Sequence, residues 1–232
     1  MRLVPLSEPL VEKARLVGRK VGIKVPPNEK VYAVLLLGDG DPDDLVVWSL
    51  SRVLNEECSV GLIEPREKGS GSVRVMRELR SLFRVEKFGL MLDQERRSVE
   101  GLWKELSRAA KDVGIRLELV DEGERWARFS WRFFGSEGEL IVVVNGLDLP
   151  MIESHKIEDH LLKIARDRLG ISGVDREIEL SGGDPKKAWR GFLRRDRELI
   201  WRVLREISEM EEDEVSKFFN QHLALRLLCE ER

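Results

Sequence analysis

Cysteine is almost absent from this chain of 232 residues, which contains only Cys58 and Cys229. The two cysteines lie far apart in sequence and match no zinc-ligand spacing, so neither a structural zinc nor a disulfide framework is expected. No apolar run approaches the roughly 20 residues that cross a bilayer. The N-terminal residues, which include Pro5, Glu8 and Glu12, do not fit a signal peptide. These absences predict a cytoplasmic protein without a membrane partner.

Other absences narrow the function. No Gly-x-x-x-x-Gly-Lys-Ser/Thr motif occurs, so a P-loop ATPase is unsupported. The formal net charge is only −3, so any nucleic-acid contact must come from a local basic patch rather than from the protein as a whole. Asn and Gln are scarce while charged residues make up 36% of the chain, which is a thermophile-like balance.

What is present is an alternation of strand-like and helix-like segments. Short apolar runs bounded by turn residues predict buried strands. The predicted strands are 31–37, 59–63, 88–92, 115–120 and 140–144. Apolar residues at helical spacing predict the clearest helix over 98–113. The alternation predicts an α/β fold whose mainly parallel sheet is flanked by helices.

The chain divides into three predicted regions. Residues 1–30 are expected to form an N-terminal extension, residues 31–170 the α/β domain, and residues 171–232 a helical C-terminal region. No internal repeat or low-complexity tract occurs in any of them.

Acidic side chains follow two of the predicted strands. Asp39 follows the first strand, and Asp93 and Glu95 follow the third. Ligands of open parallel sheets bind at the carboxyl ends of the strands, and neighbouring strands lie about 4.8 Å apart. If these two strands are neighbours, three carboxylates share a small volume and repel one another. A bound divalent cation commonly offsets such repulsion. The same acids could instead be helix caps and solvated loop residues, as Asp43 and Asp44 are expected to be.

The order of these acids resembles the Toprim pattern, in which a strand leads into Glu-Gly, an Asp follows, and a later strand leads into Asp-x-Asp. Residues 37–43, Leu-Gly-Asp-Gly-Asp-Pro-Asp, stand in the first place and residues 92–95, Leu-Asp-Gln-Glu, in the second. The loop 68–71 and the acidic-leading helix 157–162 are similar to those of stand-alone archaeal Toprim-like proteins related to overcoming-lysogenization-defect nucleases. The resemblance covers roughly residues 31–165.

The resemblance implies metal-dependent phosphoryl transfer, most simply hydrolysis of DNA or RNA phosphodiesters with Mg²⁺ or Mn²⁺. It makes Asp39 the general acid/base and Asp93 and Glu95 the metal ligands, and Asp41 is a further candidate ligand. Topoisomerase chemistry needs a nucleophilic tyrosine, and the single tyrosine, Tyr32, lies in a predicted strand. Hydrolysis is therefore the expected reaction.

Two departures from the pattern keep other functions open. Asp39 stands where the family has its glutamate, and Glu95 stands where it has the second aspartate; a misplacement of about 1 Å can cost about 10²-fold in rate. A catalytically degenerate Toprim-like protein that binds nucleic acid or regulates a partner is one alternative. The Asp39-x-Asp41 order also resembles the nucleophile motif of haloacid-dehalogenase phosphatases, which is the second alternative.

Glycines and arginines near these acids are candidate phosphate contacts. Backbone N–H groups of a Gly-Ser loop before a helix can cradle a phosphate, although such loops are often only flexible turns. Paired arginines can hold a phosphate or be solvated charges. The candidate substrate contacts are Gly40, Gly69, Ser70, Gly71, Arg96 and Arg97, with Glu158 as an accessory residue.

A local basic segment is the candidate nucleic-acid contact. Residues 186–205 contain eight lysines and arginines interleaved with Trp189, Phe192 and Trp201. Arginines that follow a backbone and aromatics that stack on bases are typical of a nucleic-acid groove, but an amphipathic helix with its aromatics in the core is the favoured interpretation. The sequence leaves open a homo-oligomer and a separate ATPase partner.

Overall fold

One mixed sheet of seven strands organises the described part of the protein. The computed structural model describes residues 1–23, 30–37, 42–54, 58–64, 76, 85–149, 151–219 and 222–230. The strands are β1 (Arg2–Pro5), β2 (Ala33–Leu37), β3 (Ser59–Ile63), β4 (Lys87–Asp93), β5 (Arg116–Gly123), β6 (Trp126–Phe133) and β7 (Ser136–Asn145). Their order across the sheet is β1-β3-β2-β4-β7-β6-β5.

Helices alternate with the strands in the first part of the chain, and further helices follow the last strand. The helices in the described residues are α1 (Glu8–Val21), α2 (Asp43–Val53), α3 (Val99–Asp112), α4 (Ile157–Asp167), α5 (Val174–Leu180), α6 (Pro185–Arg195), α7 (Leu199–Glu209), α8 (Glu212–Val215) and α9 (His222–Leu227). Ser98 begins α3 by accepting a hydrogen bond from Gly101 N at 3.0 Å, as an N-cap serine should. The predicted α/β fold with a mainly parallel sheet flanked by helices is confirmed.

Five strands form a parallel half and three form an antiparallel half, with β7 shared between them. Strands β1, β3, β2, β4 and β7 pair in parallel, whereas β5, β6 and β7 form an antiparallel meander. The sequence predicts β5 and β7 but misses β6. Strand β6 alternates apolar with polar residues (Trp-Ala-Arg-Phe-Ser-Trp-Arg-Phe), the pattern of a half-buried strand, which continuous apolar runs do not reveal.

Alternate residues of β2 supply two separate hydrophobic cores. All five residues of β2 are buried. Leu35 and Leu37 face the larger core, which lies under α1, α2, α4, α6 and α7. Leu36 faces the second core, which includes Leu102 of α3 and Phe129 of β6. A strand covered on both faces must be apolar throughout, which explains why β2 could be predicted from one uninterrupted run of apolar residues.

The N-terminal residues, predicted as an extension, contribute both β1 and α1. Strand β1 pairs with β3 from Arg2↔Ser59 to Pro5↔Leu62. The apolar residues of α1, including Leu10, Ala14 and Val17, are buried in the larger core.

A disulfide joins the C-terminal segment to the sheet, and the expectation that the two cysteines stay apart is wrong. Cys58, just before β3, and Cys229, just after α9, form a disulfide with their Cα atoms 5.4 Å apart. Distance along the sequence misled the expectation, because the chain folds back onto the same sheet between two cysteines separated by 171 positions.

The C-terminal segment also packs directly on β4. Lys87 Nζ donates to the carbonyl oxygens of Leu227 at 2.9 Å and Glu230 at 2.5 Å. A Cβ atom on Gly89 would lie 2.9 Å from Leu228 Cδ1, so a glycine is what leaves room for that leucine.

Candidate functional site

The carboxyl ends of β2, β4 and β7 lie side by side. Strand β2 pairs with β4 in parallel up to Leu37↔Met91, which confirms that the first and third predicted strands are neighbours. Strand β4 pairs with β7 up to Asp93↔Asn145. Two polar residues therefore end adjacent strands at the same edge, where ligands of open parallel sheets bind.

Part of the predicted site lies outside the described residues. Asp39, Gly40 and Asp41 follow β2 there, and the predicted phosphate loop Gly69, Ser70 and Gly71 is outside as well. The site is therefore built here from Asp93 and its neighbours.

A carboxamide joins two carboxylates at this edge. Asn145 Nδ2 donates to Asp43 Oδ1 at 2.6 Å and to Asp93 Oδ1 at 3.2 Å. Asn145 and Asp43 are almost fully buried. Asp93 Oδ1 also accepts from Ile157 N, the first residue of α4, at 3.2 Å. Two carboxylate oxygens on different elements thus meet at one N–H₂ group, and the N-terminus of α4 adds a favourable dipole.

Asp43 was expected to cap α2, and that expectation is wrong. The helix begins at Asp43 itself, its N-cap position is Pro42, and no side chain caps it. Asp43 reaches Asn145 instead, 102 positions along the chain. The neighbouring Asp44 accepts from Leu45 N at 2.8 Å and pairs with Lys13 Nζ at 2.9 Å.

Glu95, predicted as a metal ligand beside Asp93, lies at the surface. Its side chain is 55% exposed and pairs with Arg97 at 3.3 Å. Its backbone bridges to His155 and has φ of 55°, in the left-handed region. Among the described residues, the structure brings Asp93 together with Asp43 and Asn145, while Glu95 points to solvent and Arg97.

The two predicted phosphate-binding arginines have acidic partners. Arg96 is exposed and pairs with Glu153 at 3.3 Å. Arg97 pairs with Glu105 at 3.0 Å and also donates to the backbone carbonyl of Asp93 at 3.3 Å. Arg97 therefore fixes the turn after β4, and a phosphate would have to compete with two carboxylates for it.

Behind this edge, Asp159 organises the loop between β7 and α4. Asp159 is fully buried, and its Oδ2 accepts from Leu147 N at 3.1 Å and lies 3.1 Å from His155 Nδ1. Burial raises the pKa of the Asp159 carboxyl, and the hydrogen bond with His155 opposes that rise. The pKa of Glu158, the predicted accessory residue, is likewise raised by its burial and lowered in part by Lys186.

His160 is a neutral structural residue. Its Nε2 accepts from Gly146 N at 2.9 Å, so its Nδ1 carries the proton and donates to the carbonyl of Phe218. The ring stacks on Phe219 with centroids 4.7 Å apart. Full burial lowers the pKa of His160 to about 3. His160 thus ties the loop after Asn145 to the C-terminal helices.

Helix α6 exposes a basic face next to these acids. Trp189 and Phe192 are buried in the larger core, which confirms the favoured interpretation of this segment. Arg190, Arg194 and Arg197 are exposed and have no acidic partner among the residues described here. Lys186, at the start of α6, is close enough to lower the pKa of Glu158.

Two members of the cluster, Asn145 and Asp43, were missed as ligand candidates. Asn145 directly follows the predicted strand 140–144, so the rule that selected Asp93 would have selected it, had carboxamides been considered. No group of three or more His, Cys, Asp or Glu side chains able to hold a metal occurs within the described ranges. The cluster has two carboxylates and one carboxamide.

Comparison of the chain with models of protein families, with curated proteins and with solved structures finds no match in any of the three. No helix within the described segments is long and apolar enough to cross a membrane.

Proposed function

We propose that this protein is a Toprim-like, metal-dependent phosphoryl-transfer enzyme that hydrolyses nucleic-acid phosphodiesters. The observation that carries the proposal is the meeting of Asp43 and Asp93 at the Asn145 amide, at the carboxyl edge of the parallel strands. The adjacency of β2 and β4 supports the Toprim resemblance, because the two parts of the acidic pattern follow these two neighbouring strands in the sequence.

The residues of the cluster suit a hard divalent cation. Asp43 and Asp93 offer carboxylate oxygens, and a half-turn of its amide group would let Asn145 offer its carbonyl oxygen in place of the N–H₂ group. Oxygen ligands are what Mg²⁺ and Mn²⁺ prefer. When bound, the cation supplies Lewis-acid polarisation of a phosphoryl oxygen. This set replaces the one expected from sequence, with Asp43 and Asn145 in place of Glu95.

The other residues position the cluster and the substrate. Ile157 N and the backbone contact from Arg97 hold Asp93 in place, and Asp159 holds the loop after Asn145 through Leu147. Asp39 keeps its proposed role as general acid/base. The exposed Arg190 and Arg194 of α6, together with Arg197 just beyond its end, favour an extended polyanion over a small phosphorylated metabolite, because a single phosphate would not need three further positive charges.

The decisive experiment is cleavage of end-labelled DNA and RNA with Mg²⁺ or Mn²⁺. We expect Asp93→Asn to lower the rate on the order of 10²–10³-fold, since metal polarisation contributes several kcal/mol and 1.36 kcal/mol corresponds to a factor of ten. Glu95→Gln is the matched control, since it removes the same charge two residues away, and should stay within about threefold. Equal losses in both variants would contradict this ligand set.

A metal-binding but inactive protein would favour the catalytically degenerate alternative. Cation binding to the folded state adds about 2.7 kcal/mol of stability at a hundredfold excess over Kd. A rise in melting temperature with Mn²⁺ that Asp93→Asn removes, without cleavage of any nucleic acid, would select that alternative. Unchanged melting together with no cleavage would reject the metal site.

Nucleic-acid binding along α6 has its own test. If Arg190, Arg194 and Arg197 neutralise phosphates, replacing all three with Gln should flatten the salt dependence of binding by up to about three units on duplex DNA. The control variant replaces Arg15, Arg19 and Arg108 with Gln, which removes the same charge from α1 and α3. Equal slopes in the two triple variants would show that α6 presents only a solvated face.

A further inference from the structure

The far edge of the sheet is a long and incompletely covered strand. Among the described residues β5 pairs only with β6, and its eight residues span about 27 Å at 3.4 Å each. All eight residues are exposed or half-exposed, on a strand whose neighbour β6 buries every second side chain. Exposed backbone N–H and C=O groups on such an edge are a template for another strand.

Exposed apolar side chains concentrate on this edge. Leu119 is 50% exposed and Val120 is 55% exposed, both at the centre of β5. The register shift between Leu119 and Asp121 leaves Val120 as an extra residue in the strand. Water-exposed aliphatic side chains at the middle of an open edge strand gain most from a partner that covers them.

The turn beside the start of β5 adds a third apolar side chain. Phe134 and Gly135 join β6 to β7 with φ angles of 44° and 83°, the conformation of a type I′ turn. Asn, Asp or Gly normally occupy the first of these positions, and a phenylalanine with positive φ is a genuine outlier. Phe134 is also 90% exposed. Its ring packs edge-to-face on Phe133, with the ring centroids 4.5 Å apart, and the rest of it faces solvent. A strained and exposed aromatic side chain of this kind points to a contact with another molecule.

The charges along β5 indicate which kind of molecule pairs with this edge strand. The strand begins with Arg116, which lies directly opposite Arg132 of β6. Its last three residues are Asp121, Glu122 and Gly123. Neither Arg116 nor Glu122 has an ion-pair partner in the part of the chain that the structure describes. A strand that is positive at its start and negative at its end is complementary to a second copy of itself only in the antiparallel direction.

We infer that β5 pairs antiparallel with β5 of a second copy, so that the protein forms a two-fold symmetric dimer through a continuous sheet. Arg116 of each copy lies against the acidic end of β5 in the other copy. Leu119 and Val120 of the two copies meet at the two-fold axis, as an isologous interface requires. The dimer leaves the carboxyl edge of the parallel strands open, so the inference is independent of the proposed function.

The first test measures mass in solution. One strand pair is a small interface, so the mass is followed by sedimentation or light scattering between about 1 and about 500 µM, the range of weak association. We expect the mass to double with concentration for the natural sequence. A monomer at the highest concentration would overturn the inference.

The second test uses two charge reversals that complement each other. Arg116→Glu alone and Glu122→Lys alone should each weaken the dimer by at least tenfold in Kd, since each puts like charges at both ends of the interface. An equal mixture of the two variants should regain the dimer, because both ends of the mixed pair again carry opposite charges. Arg108→Glu, on the exposed face of α3, is the matched control and should leave the Kd unchanged.

Folding is checked by the melting temperature of each variant at the lowest concentration, where all are monomers. A dimer that survives both Arg116→Glu and Leu119→Arg would place the interface elsewhere and overturn the inference. Weakening by both reversals without recovery in the mixture would contradict the antiparallel pairing.

Discussion

The parallel and antiparallel halves of the sheet bury their side chains in different ways. In the parallel half, β2 is buried at all five positions and has a hydrophobic core on each face. In the antiparallel half, β6 buries alternate residues and β5 is largely exposed. Polar residues are thus excluded from the interior of the parallel strands, whereas the antiparallel strands carry them throughout.

This difference determines where a polar residue in a strand indicates a functional site. In the parallel half a polar side chain is tolerated only where a strand ends, so Asp93 and Asn145 stand out at the ends of β4 and β7. In the antiparallel half, Glu118 is exposed and Arg128 half-buried on strands that carry polar residues at alternate positions, so a single charged residue there does not indicate a catalytic site. The chemistry we propose belongs to the first half and the association to the second.

Loss of the disulfide should cause the largest drop in stability, and it tests the parallel half of the sheet. Cys58 and Cys229 close a loop of 171 residues, for which the chain-entropy model gives about 5 kcal/mol of stabilisation. The Cys58→Ser and Cys229→Ser variants, and reduced natural protein, should lose similar amounts in urea denaturation. The stability of the variants should not change on addition of reductant. If the natural protein is equally stable with and without reductant, the disulfide does not form in solution.

Core truncation in β2 should come next in size. Leu36 is fully buried in the second core. Leu36→Ala should cost about 2–5 kcal/mol, because it removes buried methyl groups and leaves a cavity. Denaturation curves measure the loss, and a cost under about 1 kcal/mol would mean that the parallel strands are less tightly packed than their burial indicates.

Acidification should weaken the junction between β7 and the C-terminal helices through His160. Its pKa in the folded protein is about 3, below the 6.5 of a free histidine. A depressed pKa contributes stability that is complete above pH 6.5 and is lost as the pH falls towards 3, at about 1.4 kcal/mol per unit. Asp159 and Glu158, whose pKa values are raised by burial, act in the opposite direction.

The contribution of His160 is isolated by comparison with His160→Gln, which cannot take up a proton. The variant should be less stable at neutral pH, and its difference from the natural protein should shrink by about 1.4 kcal/mol per unit below pH 6.5. Denaturation at about pH 7, 6 and 5 measures this. A difference that stays constant would show that His160 is not buried as a neutral ring.

Truncation on the exposed edge should have the smallest effect. Leu119 is 50% exposed, and Leu119→Ala should change the unfolding free energy by no more than about 0.5 kcal/mol. The measurement is made at about 1 µM, where weak association does not contribute. A loss comparable to that of Leu36→Ala would erase the contrast between the two halves.

The same contrast explains how far the sequence predicts the fold. The strands at 31–37, 59–63 and 88–92 are continuous apolar runs and are found as β2, β3 and β4; the bounds of β3 are identical, and those of β2 and β4 differ by at most two residues. Strand β6 alternates and was missed, and the antiparallel meander was missed with it. The disulfide was missed because cysteine separation along the chain carries no information about distance in space.

The candidate site was predictable only in part. Asp93 follows from its position after a buried strand, whereas the pairing of β2 with β4 was only a condition of the predicted site, which the sheet meets. Asp43 could not be selected, because an acid in the first turn of a helix has a sufficient local explanation as a cap. The contact between Asp43 and Asn145 spans 102 positions and depends on the sheet order, which local patterns do not determine.

The position of Leu228 on Gly89 sets an order of events during synthesis. Leu35 and Leu228 both border the space above Gly89, so the place that Leu228 occupies is complete once β4 is paired with β2. Cys58 is translated 171 residues ahead of Cys229, which at 5–20 residues per second is about 10–30 s. During that interval Cys58 is a thiol on a nascent chain, open to oxidants and to other thiols. The native disulfide can therefore form only if that thiol has not reacted with another partner before the C-terminal segment arrives.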